Sequence, residues 1–175
     1  MRTFHRRTTC TIVPLVALVG LSVGPLEAQD GPYDTPEGLI RHVYDLVTFP
    51  AGTLPDWDSL RATFIPDAVI VLRTSRTAST VMSVDDFIAD WLRFVDEYDV
   101  EQSGFTEEIL HLVPLEFGDI AHVLVLYAAS IPGGRPPMQG VDSFHLIRKD
   151  GRWWIAGILN EIPTPERPVP EVLRR

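Results

Sequence analysis

The chain has 175 residues, 24 of them acidic and 15 Lys or Arg, and its formal net charge at pH 7 is −9. This length is enough for one domain with its own hydrophobic core. An acidic chain without a Lys/Arg cluster is a poor partner for nucleic acid or for an anionic membrane surface, so neither is expected.

The first 28 residues have the pattern of a signal peptide. Three arginines precede an apolar stretch at 11–23, and Leu-Glu-Ala at 26–28 resembles a cleavage site. The alternative is an uncleaved anchor, but the apolar stretch is shorter than the roughly 20 residues of a membrane-spanning helix. We predict cleavage after Ala28 and a periplasmic or secreted protein that is not stably inserted in a membrane.

Cleavage would also change the chemistry of the chain. It removes three arginines and one glutamate, which takes the net charge from −9 to −11. It removes Cys10, the only cysteine, so disulfides and thiolate sites are excluded from the mature domain.

Helical patterns dominate the first half of the mature chain. Apolar residues recur at helical spacing in three segments, each preceded by an N-capping residue. The predicted helices cover 36–48, 57–64 and the segment from Ser83 to about Tyr98. Between the second and third helices, 68–73 and 77–82 are predicted to form a short hairpin.

From Phe105 onward the apolar pattern alternates, which is typical of strands. The predicted strands are 105–116, 120–131, 139–149 and 152–162. The Asp150-Gly151 dipeptide suits a two-residue type I′ turn, because both central residues of that turn need positive φ. The pattern predicts an α+β fold, with a curved antiparallel sheet built from a four-strand meander and the N-terminal hairpin, and three helices on its concave face.

Several short motifs resemble the nuclear transport factor 2-like superfamily, in particular its SnoaL-like bacterial branch. They lie in order at 64–68 (FIPDA), 117–123 (FGDIAHV), 140–144 (GVDSF) and 150–155 (DGRWWI). The resemblance implies a cone domain at 29–162 with a pocket between helices and sheet, and a homodimer formed through the outer sheet face. Residues 163–175 are then a Pro-rich extended tail. The superfamily contains both enzymes and binding modules, so the resemblance does not fix the function.

Counting back from the Asp150-Gly151 turn assigns the faces of the last hairpin, because side chains alternate along a strand. The count pairs His145 with Ala156. It puts Ser143, His145, Trp154 and Asn160 on one face, and Phe144 and Trp153 on the other. The resemblance suggests that the His145 face is the concave one.

Two residues are candidates for catalysis. His145 can serve as a general acid or base, because imidazole titrates near neutral pH. Tyr127, counted onto the concave face with Val125, can polarise a carbonyl oxygen. The structural alternatives are a histidine satisfied by one hydrogen bond and a packed tyrosine ring. His111 and His122 fall on the opposite face and are expected at the dimer interface.

The other candidates would bind a ligand without taking part in chemistry. They are polar groups and aromatic walls of the expected pocket: Arg73, Ser143, Asn160, Trp57, Trp91 and Trp154. The structural alternative for Arg73 is an exposed arginine at the end of a strand.

The sequence offers no matched pair of acids, because Asp142 is counted onto the face opposite His145. Isomerase chemistry of the superfamily is therefore not carried over. No cofactor is expected and no metal site, since the histidines are scattered over two faces. The leading hypothesis is a protein that binds a small hydrophobic molecule. One alternative is a lyase or isomerase of hydrophobic carbonyl compounds that uses His145, and another is a protein-interaction domain.

Overall fold

A computed structural model describes residues 31–75, 77–134 and 136–174. The predicted signal peptide lies outside the described residues. The helices are α1 (Pro36–Val47), α2 (Trp57–Arg61), α3 (Val84–Glu97) and α4 (Val100–Ser103). The strands are β1 (Phe64–Arg73), β2 (Ser79–Met82), β3 (Thr106–Phe117), β4 (Ile120–Ser130), β5 (Met138–Lys149) and β6 (Arg152–Glu161).

The three predicted helix starts are confirmed. Thr35 accepts a hydrogen bond from the backbone of Gly38 at 3.0 Å, Asp56 caps α2 in the same way, and Ser83 forms a capping box with Asp86. The second helix is shorter than expected, because the chain already enters β1 at Phe64. The four-residue helix α4 is too short to give a periodic pattern and was not predicted.

The six strands form one sheet in the order β2-β1-β6-β5-β4-β3. Neighbours are antiparallel except β1 and β6, which run parallel. This confirms the α+β prediction of a four-strand meander with an N-terminal hairpin. Helix α1 packs against β3, β4 and β6, and α3 packs against β1 and β2, so both helices cover one face of the sheet. No helix among the described residues is long and apolar enough to cross a membrane.

The turn that sets the register of β5 and β6 forms as predicted. Asp150 and Gly151 have φ values of 54° and 80°, and Lys149 pairs with Arg152. From there the predicted register holds as far as Leu146 and Ile155.

A β-bulge in β6 then changes the pairing. His145 pairs with Gly157, not with Ala156 as predicted, while Leu146 pairs with Ile155. Because a bulge adds one residue to one strand, the residues beyond it in β6 change face relative to a strict alternation.

The concave face of β5, which alternates regularly, is the opposite of the one that the resemblance suggests. Phe144 and Trp153, each 1% exposed, lie under the helices, whereas His145 is exposed on the outer face. The prediction that His145 lies on the concave wall is wrong. Asn160 does lie on the concave face, because the bulge moves it there.

Candidate functional site

A cavity of about 350 Å³ lies between the helices and the concave face of the sheet. Most of its wall is apolar and strongly aromatic. The lining side chains of this kind include Val43, Val47, Phe64, Ile70, Phe87, Trp91, Phe94, Phe105, Phe144 and Ile158. Arg73, the last residue of β1, Met138, the first residue of β5, and Asp90 of α3 also line it.

A chain of hydrogen-bonded side chains forms the polar end of the cavity. The Tyr44 hydroxyl donates to Oδ2 of Asp142 at 2.7 Å. The Asn160 amide nitrogen donates to Oδ1 of Asp142 at 2.7 Å and to the Tyr127 oxygen at 3.0 Å. Four elements, α1, β4, β5 and β6, contribute one side chain each. The arrangement thus fixes the Asp142 carboxylate from both sides.

A second carboxyl group, Glu107, lines the same cavity. Its backbone is fastened to the end of α1, because its N–H donates to the Thr48 hydroxyl at 3.0 Å and that hydroxyl donates to its carbonyl oxygen at 3.2 Å. Among the described residues, none hydrogen bonds to the Glu107 carboxyl oxygens. Glu107 is therefore held in place by its backbone while its side chain stays available to a ligand.

The two carboxyl groups differ in their tendency to ionise. Burial raises the pKa of Glu107 to about 8, and the charge of Asp142 adds to this rise. Burial also raises the pKa of Asp142 to about 6, although the hydrogen bonds from Asn160 and Tyr44 oppose the rise. At neutral pH the cavity therefore holds an ionised Asp142 beside a largely protonated Glu107. Burial likewise raises the pKa of Tyr127, so its hydroxyl keeps its proton.

The position of the Tyr127 ring depends on a glycine in the neighbouring strand. Tyr127 and Gly140 are paired across β4 and β5, and a Cβ atom on Gly140 would lie 2.2 Å from the tyrosine oxygen. The ring therefore lies over the bare backbone of Gly140, which allows its hydroxyl to reach Asn160.

Four of the residues predicted from the sequence line the cavity: Arg73, Trp91, Tyr127 and Asn160. Arg73 is already engaged in an ion pair with Glu161, with its Nε donating at 2.9 Å and its Nη2 bonding to the second oxygen. Their roles in binding or catalysis stay predictions, but their side chains share one site.

The other four lie elsewhere. On the outer face the ring of His145 stacks on His122 with centroids 5.0 Å apart, and Nε2 of His122 lies 2.8 Å from the Ser143 hydroxyl. Burial, and then the neighbouring His145, lower the pKa of His122. Trp154 lies under the Arg152 guanidinium at 3.8 Å. Trp57 contacts Trp91 from behind the cavity wall, with ring centroids 6.2 Å apart.

The sequence reasoning missed Tyr44, Glu107 and Asp142. Asp142 was missed because the resemblance assigned the wrong face of β5 to the pocket, since Asp142 lies on the same face as the buried Phe144 and Leu146. Glu107 was missed because a bulge in β3, between Ile109 and His111, turns it inward. The prediction that Asp142 faces away from the pocket is therefore wrong, and the cavity is lined by two acids whose charges interact, Asp142 and Glu107.

Signals for two of these residues are present in the sequence. Tyr44 continues the buried side of α1, which also carries Ile40, Val43 and Val47 at helical spacing. Asp142 alternates with the buried Phe144 and Leu146. An acid on the same strand face as buried residues is a candidate site residue. Among the described residues, no group of three His, Cys, Asp or Glu side chains can hold a metal ion.

No family model and no curated protein matches the chain. Solved structures do match. An NTF2-like protein of unknown function from Pseudomonas putida KT2440 is 14% identical, with a TM-score of 0.51 over 66% of this chain and 80% of that one. A second NTF2-like protein of unknown function, from Pseudomonas aeruginosa, is 18% identical, with a TM-score of 0.53 over 73% of this chain and 98% of that one.

A third match is a putative calcium/calmodulin-dependent protein kinase type II association domain from Thiobacillus denitrificans. It is 12% identical, with a TM-score of 0.56 over 75% of this chain and 98% of that one. At such identities the likeness establishes the fold and leaves the activity open. The SnoaL-like branch stays a prediction, whereas the chain has the fold of the nuclear transport factor 2-like (NTF2-like) neighbours.

Proposed function

We propose that this protein binds a small, mostly hydrophobic molecule in the cavity between the helices and the sheet. The observation that carries the proposal is the division of the cavity surface between an extensive aromatic and aliphatic wall and a polar end with two carboxyl groups. Ligand sites are commonly of this kind, with a few placed polar groups that fix orientation.

The Glu107 carboxyl supports this proposal. A polar group in a largely apolar cavity is costly without a hydrogen-bond partner, and a ligand can supply that partner. A purely structural carboxyl would be expected to bond to the protein, as Asp142 does to Tyr44 and Asn160. We also propose that the protein acts outside the cytoplasm, because of the predicted signal peptide.

Native mass spectrometry of the protein purified from its own host tests the proposal. We expect a retained molecule that is lost in Ala129→Phe, because Ala129 lines the cavity and a phenyl ring there would fill it. The matched control is Ala128→Phe, the next residue along β4, which does not line the cavity. A wild-type protein without any retained mass, and with no thermal shift in a panel of hydrophobic small molecules, would contradict the proposal.

A second candidate function is proton transfer on a hydrophobic carbonyl compound. The pKa values of Asp142 and Glu107 favour it, because one group can accept a proton while the other donates a hydrogen bond at the same pH. In this scheme Asp142 takes a proton from the carbon next to the carbonyl and returns it to the product. Glu107 or Tyr127 stabilises the oxygen meanwhile. This replaces the scheme based on His145.

Deuterium exchange distinguishes the two candidates. A protein that transfers protons should incorporate deuterium from D₂O into a hydrophobic ketone such as 2-indanone faster than the buffer does, as followed by NMR. Asp142→Asn should abolish the enhancement, and His145→Ala should leave it unchanged. Loss of exchange in the His145 variant would restore the scheme based on His145.

A further inference from the structure

The hydrogen-bond capacity of the polar end is unbalanced. The Tyr44 proton is directed to Asp142, and the two amide protons of Asn160 are directed to Asp142 and Tyr127. Within the described part of the chain, the side-chain oxygens of Glu107 and Asn160 are acceptors without a protein partner, and the Tyr127 hydroxyl proton is a donor without one. Once Glu107 has lost its proton, these acceptors outnumber the free donor, so a ligand group that donates several hydrogen bonds complements them.

The cavity also has more acidic than basic side chains. The charged or titratable groups of the described residues that line it are Tyr44 from α1, Arg73 from β1, Asp90 from α3, Glu107 from β3, Tyr127 from β4 and Asp142 from β5. Only Arg73 in this set is basic, and its guanidinium is already held by Glu161 of β6. The polar end thus combines two carboxyl groups with no basic side chain from the described residues, although buried charges are normally paired.

The aromatic walls can bind the apolar part of such a ligand. Trp91 and Phe105 pack edge to face with centroids 4.9 Å apart, and Phe94 packs against both of them. Phe144 and Tyr44 extend the aromatic surface to the polar end. Aromatic rings bind apolar groups through their area, and their faces also attract cations.

We propose that the cavity binds a hydrophobic amine as its ammonium ion, with the charged nitrogen at Glu107 and Asp142 and the apolar body against the aromatic walls. The three N–H donors of a primary ammonium match the surplus of acceptors, and its charge provides the missing partner of the acids. This inference rests on the proposed binding function and assigns the chemical class of its ligand.

Ammonium binding should be coupled to proton release. Burial raises the pKa of Glu107 to about 8, so this carboxyl holds a proton at neutral pH. It loses that proton when a cation binds beside it. Calorimetry at pH 7 in two buffers with different ionisation enthalpies reports the number of protons released. We expect a value between about 0.5 and 1 for an ammonium probe and close to zero for a neutral probe.

Three probes with the same apolar body isolate the role of the charged group: 2-phenylethylammonium, 2-phenylethanol and phenylacetate. With the full chain we expect the ammonium to bind at least about tenfold more tightly than the alcohol, and the carboxylate to bind most weakly. The wild-type affinity for the ammonium should fall by up to about tenfold per pH unit below pH 8, where Glu107 must lose its proton, and more steeply below pH 6, where Asp142 also becomes protonated, while that for the alcohol stays constant.

Substitutions of the two acids test whether their carboxyl groups bind the ammonium ion. Asp142→Asn and Glu107→Gln should each weaken ammonium binding by about tenfold or more and change binding of 2-phenylethanol by less than about twofold. The matched control is Glu108→Gln, which removes an exposed carboxylate one residue away from Glu107. It should leave all three affinities unchanged. The wild-type pH profile provides the same information if a variant does not fold.

Several outcomes would overturn the inference. If the alcohol or phenylacetate binds more tightly than the ammonium, the binding function stands and the ligand class is wrong. The same conclusion follows if the molecule retained from the host lacks a basic nitrogen. If none of the three probes binds and no molecule is retained, the binding function fails as well.

Discussion

The two carboxyl groups at the polar end of the cavity are the most consequential residues of the structure. Asp142 is held by hydrogen bonds from Tyr44 and Asn160, and the carboxyl of Glu107 has no such support from the described residues. Burial of both groups raises their pKa values, so the folded state binds protons more tightly than the unfolded chain does. Such a cost in stability is expected of a site that binds a ligand, and it is consistent with the proposed function.

The first prediction at this scale concerns Glu107→Gln. The pKa of Glu107 is about 8 in the folded protein against an ordinary value of 4.5. The contribution of its protonation to the free energy of unfolding is therefore complete below pH 4.5 and is lost as pH rises through 8. Wild-type stability should therefore decline between pH 5 and pH 9, and the variant should decline less. At pH 9 we expect the variant to be more stable by about 1–3 kcal/mol.

Urea unfolding of the ligand-free protein at pH 5, 7 and 9 measures this difference. Glu108→Gln serves as the control, because Glu108 is an exposed acid in the same strand and should not change the slope of stability with pH. Parallel pH profiles for the wild type and Glu107→Gln would show that Glu107 is not forced into its protonated form by the fold.

At the scale of the elements, capping residues and turn chemistry are strong local signals. Thr35, Asp56 and Ser83 set the helix starts, and the Asp150-Gly151 turn sets the first pairs of the last hairpin. These features depend on residues close in sequence, so the pattern alone predicts them. The order of the helices and strands, and with it the fold class, follows from the same signals.

The faces of the strands require more than local information. One bulge in β3 and one in β6 each reverse the alternation, and together they decide whether Glu107 and Asn160 point into the cavity. The Ile109-Leu110-His111 stretch has nothing that distinguishes a bulge from a regular strand. In β6 the one local signal is Gly157, since an isolated glycine inside a strand often marks a bulge.

Gly157 also has a reason in the packing. A Cβ atom on it would lie 3.1 Å from the carbonyl oxygen of Val69, in the strand that pairs with β6 on its other side. The bulge therefore lies where β1 approaches β6 closely, and this parallel pairing is a long-range feature that the sequence pattern does not contain. For this reason the fold was predictable, while the bulges that turn Glu107 and Asn160 into the cavity were not.

At the scale of the whole molecule, the outer face of the sheet is covered only in part by the described residues. The C-terminal tail ends in a short 3₁₀ turn, Glu171–Leu173, that contacts β3 and β4. Leu173 is 1% exposed and packs near Leu126 and His111. The tail, predicted as an extended segment without a core, thus covers one part of the outer face with its last residues. The part formed by β5 and β6 stays exposed.

The last prediction concerns this exposed part, which we propose as the homodimer interface. Leu159 and Ile147 are 47% and 37% exposed there, beside the stacked rings of His122 and His145. A standard interface buries about 800 Å² on each partner, and a charge at its centre is strongly unfavourable. Leu159→Glu should therefore weaken dimerisation by at least about a hundredfold, as measured by sedimentation equilibrium.

The matched control is Leu92→Glu, because Leu92 is 44% exposed but lies on α3, across the molecule from this face. It should leave the association constant unchanged. A monomeric wild type would rule out the dimer, and equal losses in both variants would place the interface elsewhere. If the Leu159 variant is monomeric and still binds its ligand, the cavity is complete within one chain, since every group of the polar end comes from the same subunit.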